Sequence, residues 1–255
     1  MIQNLNTFSQ NTNGNIVAYK NPQGKYAALA QFVINNCQSQ GRLYNNKIAI
    51  ASSGRFAVEI AKVCQQRGIN FLPLLGNYED TNAFNQITAM GFNIDRTPSK
   101  EKASTIARIQ QEGWYYFDQF NDPIVIEFYR QEAQRAVTEL GRTPDIFIDF
   151  IGSGATMRGF HDVMQLSSKY AFSNTSYKNN TKYLQKPYIR DISYNFNPEV
   201  IETNATAAQE LAQKYQNGQF GIMGNAARTF FFSIQAAIQY LQNNPGKTVL
   251  LYWED

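Results

Sequence analysis

Short apolar runs of β type alternate with amphipathic helical stretches along nearly the whole chain, and this alternation narrows the fold more than any other feature. Strands separated by helices are laid down parallel, so the expectation is an α/β protein with mainly parallel sheets. The pattern predicts strands at residues 16–19, 47–51, 70–75, 92–96, 114–117, 146–151 and 248–253. Helices are expected at 26–36, 54–66, 81–90, 99–111, 124–140, 205–216 and 225–243. In the second of these Ala57, Ile60, Ala61 and Cys64 share one face, and Ser52 or Ser53 would cap it. Gly91 would stop the third. Between residues 169 and 197, Asn, Tyr, Ser and Lys crowd out any periodicity, which predicts a long loop or an irregular insertion.

Composition excludes several classes of function. A chain of 255 residues that is 43% apolar can bury a substantial core, as one large domain or two small ones. A formal charge of +3 is too slight to point to nucleic acid or an anionic membrane. Asn and Gln outnumber the charged residues, so the surface is expected to be rich in amides. No basic segment followed by an apolar one opens the chain, and no window is apolar for the ~18–20 residues of a membrane span, so a cytoplasmic protein is expected. Cys37 and Cys64 sit among apolar residues in helical patterns and read as small buried hydrophobes. A single histidine, His161, and the absence of paired CxxC motifs leave no metal site to expect.

Two glycine-containing turns carry chemistry. Gly152-Ser153-Gly154-Ala155-Thr156 follows an apolar strand and opens toward a helix, which suits it to an anion: small residues let backbone N–H groups approach phosphate oxygens. It lacks the third glycine of a dinucleotide fingerprint, and no P-loop occurs in the chain. Ser52-Ser53-Gly54 stands at another helix start, where N–H groups and hydroxyls could hold a carboxylate. Taken alone, the first would read rather as a tight strand-to-helix turn, and the second as only a helix cap.

Taken in order, the motifs resemble those of the cysteine synthase-like, fold-type II pyridoxal phosphate enzymes, the tryptophan synthase β superfamily. Lys25, in Asn21-Pro22-Gln23-Gly24-Lys25, stands where that family has the lysine that forms the Schiff base with the cofactor. Ser52-Ser53-Gly54-Arg55-Phe56-Ala57 is similar to the family's T-S-G-N-T-G loop and follows the lysine at the family's spacing. The helix ending Gln65-Gln66-Arg67-Gly68 and the turn Met90-Gly91-Phe92 also have counterparts there. Asp118-Gln119-Phe120-Asn121-Asp122-Pro123 looks like Q-Q-F-x-N-P, and Gly152 to Thr156 looks like the G-T-G-G-T phosphate loop.

The resemblance implies two three-layer α/β/α lobes, residues 36–126 forming the smaller and 1–35 with 127–255 the larger, with a cofactor cleft between them. It implies pyridoxal phosphate as cofactor, a small amino acid as substrate, and a homodimer or a partner subunit. Lys25 would carry the cofactor and act as base at Cα; Gly152, Ser153, Gly154, Ala155 and Thr156 would hold the phosphate; Ser52, Ser53, Gly54 and Gln119 would hold the substrate carboxylate. β-Elimination or β-replacement on a serine- or cysteine-type amino acid would follow. The sequence also departs from the pattern. Arg55 replaces an asparagine that contacts the cofactor's ring hydroxyl, and Ala57 replaces a glycine. Glu254 would take the place of a serine at the pyridine nitrogen, where it could protonate the ring, and residues 169–197 match no family segment. These departures keep a second expectation open, a non-catalytic relative that binds a partner protein or a small anion.

Overall fold

The structure, a computed structural model, describes residues 1–10, 12–52, 54–75, 81–96, 101–150, 153–164, 170–174, 199–215 and 224–253. In chain order the elements are β1 (Ile2–Asn4), a short 3-10 helix (Asn6–Phe8), β2 (Asn15–Tyr19), α1 (Lys25–Ser39), β3 (Lys47–Ile50), α2 (Arg55–Arg67) and β4 (Asn70–Pro73). Then come α3 (Thr81–Ala89), α4 (Lys102–Gln111), β5 (Tyr115–Phe117), α5 (Pro123–Leu140), β6 (Ile146–Phe150) and α6 (Ala155–Met164). The remainder is β7 (Tyr170–Asn174), β8 (Glu199–Glu202), α7 (Ala205–Tyr215), α8 (Gly224–Asn243) and β9 (Thr248–Tyr252). The chain divides into two compact units, Met1–Lys25 with Ile126–Asp255, and Tyr26–Val125. Nearly all of α1 therefore falls in the second unit, earlier than a boundary at Asn36.

The first unit is built on a six-stranded sheet in the order β1-β2-β9-β6-β7-β8. All its pairings are parallel except that of the edge strand β1 with β2. Every residue of β9 and four of the five in β2 are buried, the continuous apolar run expected of parallel strands. Ile16, Ala18, Ile146, Ile148, Val249 and Leu251 of the sheet share a core with Phe230, Phe231, Ile234, Ala237 and Leu241 of α8. Each large side chain of this kind contributes roughly 1.5–3 kcal/mol by leaving water. Asn204 caps α7, its Oδ1 accepting the N–H groups of Thr206 and Ala207 at 2.9 and 3.3 Å.

The second unit carries a three-stranded parallel sheet, β4-β3-β5. Ile48, Ala49 and Ile50 of its central strand are fully enclosed. Helix α2 buries Phe56, Ala57, Val58, Ile60, Ala61, Val63 and Cys64, and Gly68 ends it in the left-handed conformation (φ 63°), where a side chain would be strained. Arg42 Nη1 donates to the Tyr115 hydroxyl and to Asp122 Oδ2, both at 2.8 Å, joining the loop after α1 to β5 and the turn before α5.

Four details correct the sequence expectations. Residues 92–96 form no strand; one bridge, Leu74 to Asp95, is what remains, while Phe92 turns its ring edge to Phe71 at 5.6 Å. Within 169–197, expected to be irregular, residues 170–174 form β7, held by parallel pairing to β6 and β8 on its two sides; residues 175–197 lie outside the described part. The N-cap of α2 is Gly54 without a side-chain cap, so Ser52 does not cap this helix, and Ser53 lies outside the described residues. Strands β1 and β8 were not expected from the pattern, being short edge strands with little periodicity.

Candidate active site

In the first unit the chemistry-bearing residues follow the carboxyl ends of the parallel strands β2 and β6, with Tyr252 the last residue of β9 between them, on the side of an open α/β sheet where ligands bind. After β2 the chain makes a tight turn, Asn21-Pro22-Gln23-Gly24, closed by the Gly24 N–H donating to the Asn21 carbonyl at 3.0 Å. Proline at its second position presets the backbone, and the Asn21 Oδ1 accepts the Gln23 N–H at 2.8 Å. The turn delivers Lys25 as the first residue of α1. A lysine at a helix start normally reaches for water, but Lys25 is 6% exposed. Its Nζ lies 5.3 Å from the centroid of the Tyr252 ring and 5.8 Å from that of Tyr129.

Behind these rings is a fully buried carboxylate. Glu132 of α5 has no exposed surface, and its Oε2 accepts both Asn21 Nδ2 and the Tyr252 hydroxyl at 2.8 Å. Arg135 Nη1 donates to the other oxygen, Oε1, at 2.8 Å and balances the charge. Burial, with the Glu132 charge adding to it, pushes the Tyr252 phenol well above its usual pKa. The same two causes push Tyr19 up to about 12. Tyr252 therefore remains a protonated donor at physiological pH. Its ring also meets the edges of Tyr129 and Phe160, at 5.9 and 5.6 Å, and Phe160 stacks on Phe147 at 4.2 Å.

After β6, Ser153 and Gly154 lead into α6, so Ala155 and Thr156 are its first two residues. Gly154 has φ +88°, and Ser153 Oγ accepts the Ala155 N–H at 3.3 Å. Ala155 and Thr156 are buried. The first N–H groups of a helix have no partner within it, so this ten-residue helix points donors at whatever lies beyond Gly154. Gly152, expected in the same loop, and Glu254, expected after β9, lie outside the described residues.

In the second unit Ser52 and Gly54 follow β3, and Gln119 follows β5, its parallel neighbour. Gln119 Nε2 donates to the Ala51 carbonyl at 2.6 Å, which draws the two loops together. A side-chain carbon placed on Gly54 would meet nothing within 4 Å, so the loop borders open space. Arg55, first in α2, is exposed, with its guanidinium carbon 6.0 Å from the Tyr26 ring centroid. Thus Ser52, Gly54, Arg55 and Gln119 lie in one unit, and Lys25 with Ser153 to Thr156 in the other.

A family profile described as "Pyridoxal-phosphate dependent enzyme" matches residues 25–174, more than half of the chain and beginning at Lys25 itself. The chain belongs to this family. Family members use pyridoxal phosphate. No curated protein sequence matches the chain. Among solved structures, O-acetyl serine sulfhydrylase isoform 3 from Entamoeba histolytica superposes with a TM-score of 0.78 at 16% identity, covering 100% of this chain and 85% of that one. O-ureido-L-serine synthase gives 0.75 at 17%, covering 100% and 88%. The O-acetylserine dependent cystathionine β-synthase from Helicobacter pylori gives 0.75 at 20%, covering 100% and 92%. At these identities the likeness is one of fold, and the fold is that of the fold-type II enzymes. No helix among the described residues is long and apolar enough to cross a membrane.

The first unit fits the family's cofactor in kind. Pyridoxal phosphate presents an aldehyde and a phosphate. Lys25 offers a water-shielded amine, and the Ser153–Thr156 turn offers a positive-φ glycine at a helix N-terminus, the backbone form that cradles anions.

Sequence reasoning did not single out Glu132 or Tyr252. The buried residues of α5 are Ile124, Val125, Phe128, Tyr129, Glu132, Ala133 and Ala136, a helical stripe in which one carboxylate stands among apolar side chains. A charge on the apolar face of the expected 124–140 helix was the available signal.

Proposed function

We propose that this protein catalyses β-elimination or β-replacement on a serine- or cysteine-type amino acid. The observation that carries this reading is the buried Lys25 amine at the carboxyl edge of the parallel sheet. Pyridoxal phosphate, when bound, supplies the electron withdrawal that makes the substrate's Cα–H acidic. Lys25 anchors the cofactor and then takes the Cα proton as the substituent leaves Cβ. The turn from Gly152 through Thr156 holds the phosphate. Ser52, Ser53, Gly54 and Gln119 hold the α-carboxylate, so that the Cα–H bond is presented to the base. Glu254 takes the pyridine nitrogen and Arg55 the ring hydroxyl side. The structural relatives support the substrate class, since their names include O-acetylserine and O-ureido-L-serine. A cytoplasmic homodimer, or pairing with a partner subunit, belongs to the same reading.

The exposed Arg55, where the family has asparagine, together with Ala57, favours a second reading in which the chain binds a small anion or a partner protein without turnover. One experiment separates the two. Protein mixed with pyridoxal phosphate is followed by visible absorbance, reduced with borohydride and mapped by peptide mass, with Lys25→Ala as control. A label on Lys25 and spectral changes on adding O-acetylserine, cysteine or serine are expected. Folded protein that takes no label overturns the enzyme reading.

A further inference from the structure

Lys25 has a long, flexible side chain, and a base works only when its nitrogen is held toward the reacting bond. The turn that delivers Lys25 and the Tyr252 ring, 5.3 Å from its nitrogen, both bear on where that nitrogen sits. Both are bound to the same atom. Glu132 Oε2 accepts Asn21 Nδ2 from the turn and the Tyr252 hydroxyl from the end of β9, each at 2.8 Å. Tyr129, the other ring near Lys25, precedes Glu132 by three residues on the same face of α5. Burying a carboxylate with no exposed surface is costly, and an apolar residue of similar size would usually serve packing as well. Here the carboxylate accepts three hydrogen bonds, two from groups that frame one lysine and one from Arg135.

We propose that Glu132 is a positioning residue for the Lys25 amine, fixing through one oxygen both the turn that carries the lysine and the ring that flanks it. The proposal rests on the reading of Lys25 as the cofactor lysine. Asn21 and Tyr252 act through the same atom. Tyr252→Phe keeps the ring and loses only the hydroxyl; Glu132→Gln keeps the shape and loses the charge that pairs with Arg135.

The test uses the full chain and pyridoxal phosphate. For the unaltered protein and both variants, the thermal midpoint, the rate of borohydride-fixed labelling at Lys25 and the visible circular dichroism per bound label are measured. Labelling at Lys25 is expected to slow by about tenfold in each variant. The visible circular dichroism per label is expected to fall by about half, a loss of fixed orientation that reduced stability alone does not produce at matched occupancy. If Glu132→Gln does not fold, Tyr252→Phe decides. Unchanged rate and unchanged circular dichroism in the folded variants, with the unaltered protein labelled at Lys25, overturn the positioning role and leave the cofactor reading intact. Absence of label at Lys25 in the unaltered protein overturns the cofactor reading, and the positioning role with it.

Discussion

Gly159 of α6 lies directly against the backbone of Tyr129 in α5. A side-chain carbon built on Gly159 would meet Tyr129 Cβ, and would stand 2.7 Å from its carbonyl carbon and 2.9 Å from the Arg130 nitrogen. Two of these atoms belong to a helix backbone and the Cβ is fixed directly to it, so they cannot give way as the tip of a side chain would. Gly159→Ala is expected to cost about 1–3 kcal/mol or more. Urea unfolding measures the loss. The substitution should also shift Tyr129, and with it labelling at Lys25, although residue 159 touches neither reacting group.

Gln119→Ala removes the donor to the Ala51 carbonyl and releases the loop after β5 from the loop after β3. The stability cost is expected to be about 1 kcal/mol. For an active enzyme the larger effect should be a rise in KM for the amino acid of about tenfold with a smaller change in kcat, the sign of binding lost about equally from the ground and transition states. Steady-state kinetics checks the split.

Asp145 gives a pH dependence of definite sign. Burial works against its charged form, but the Thr248 N–H at 2.8 Å, the Lys247 ammonium at 3.0 Å and the Arg142 charge outweigh it and hold the carboxyl below its ordinary 3.8. The folded protein therefore binds this proton less readily than the unfolded chain. Its contribution to stability is whole at neutral pH, declines as the pH falls through 3.8 and is gone once the pH passes the folded value. Asp145→Asn should lower the thermal midpoint at pH 7, with a cost on the order of 1 kcal/mol because the pair is partly solvated. The difference from the unaltered protein should shrink at pH 3.

The thiols should be silent. Burial pushes both Cys37 and Cys64 up to about 12, so at pH 8 the reactive thiolate form is scarce. Native protein is expected to give no fast reaction with a disulfide reagent, and two equivalents should react once urea unfolds the chain.

Periodicity made the sheets of both units legible where a strand has its own apolar run, as in residues 47–50 and 248–252. It did not reveal β7, whose Tyr-Ala-Phe-Ser-Asn sequence sits in an amide-rich stretch and becomes a strand through its pairing with β6 and β8. It over-read residues 92–96, where Phe92 and Ile94 supply an apolar pattern but a single backbone bridge forms at Asp95. For the site, Lys25, Gln119 and the turn at 152–156 stood out because each belongs to a contiguous motif. The Glu132 cluster did not, because Asn21, Glu132 and Tyr252 meet through tertiary packing and share no local spacing.

Strand β2 pairs along its whole length with β9, residue 15 opposite 248 and residue 19 opposite 252. During synthesis the ribosome releases Lys25 early and Tyr252 late, after the contiguous Tyr26–Val125 unit has emerged. Until β9 docks, Lys25 lacks the Tyr252 ring that stands 5.3 Å from its nitrogen in the folded chain. If Lys25 is the cofactor lysine as proposed, its selectivity for the cofactor depends on β9 having docked beside β2, so that cofactor binding would report on this long-range pairing.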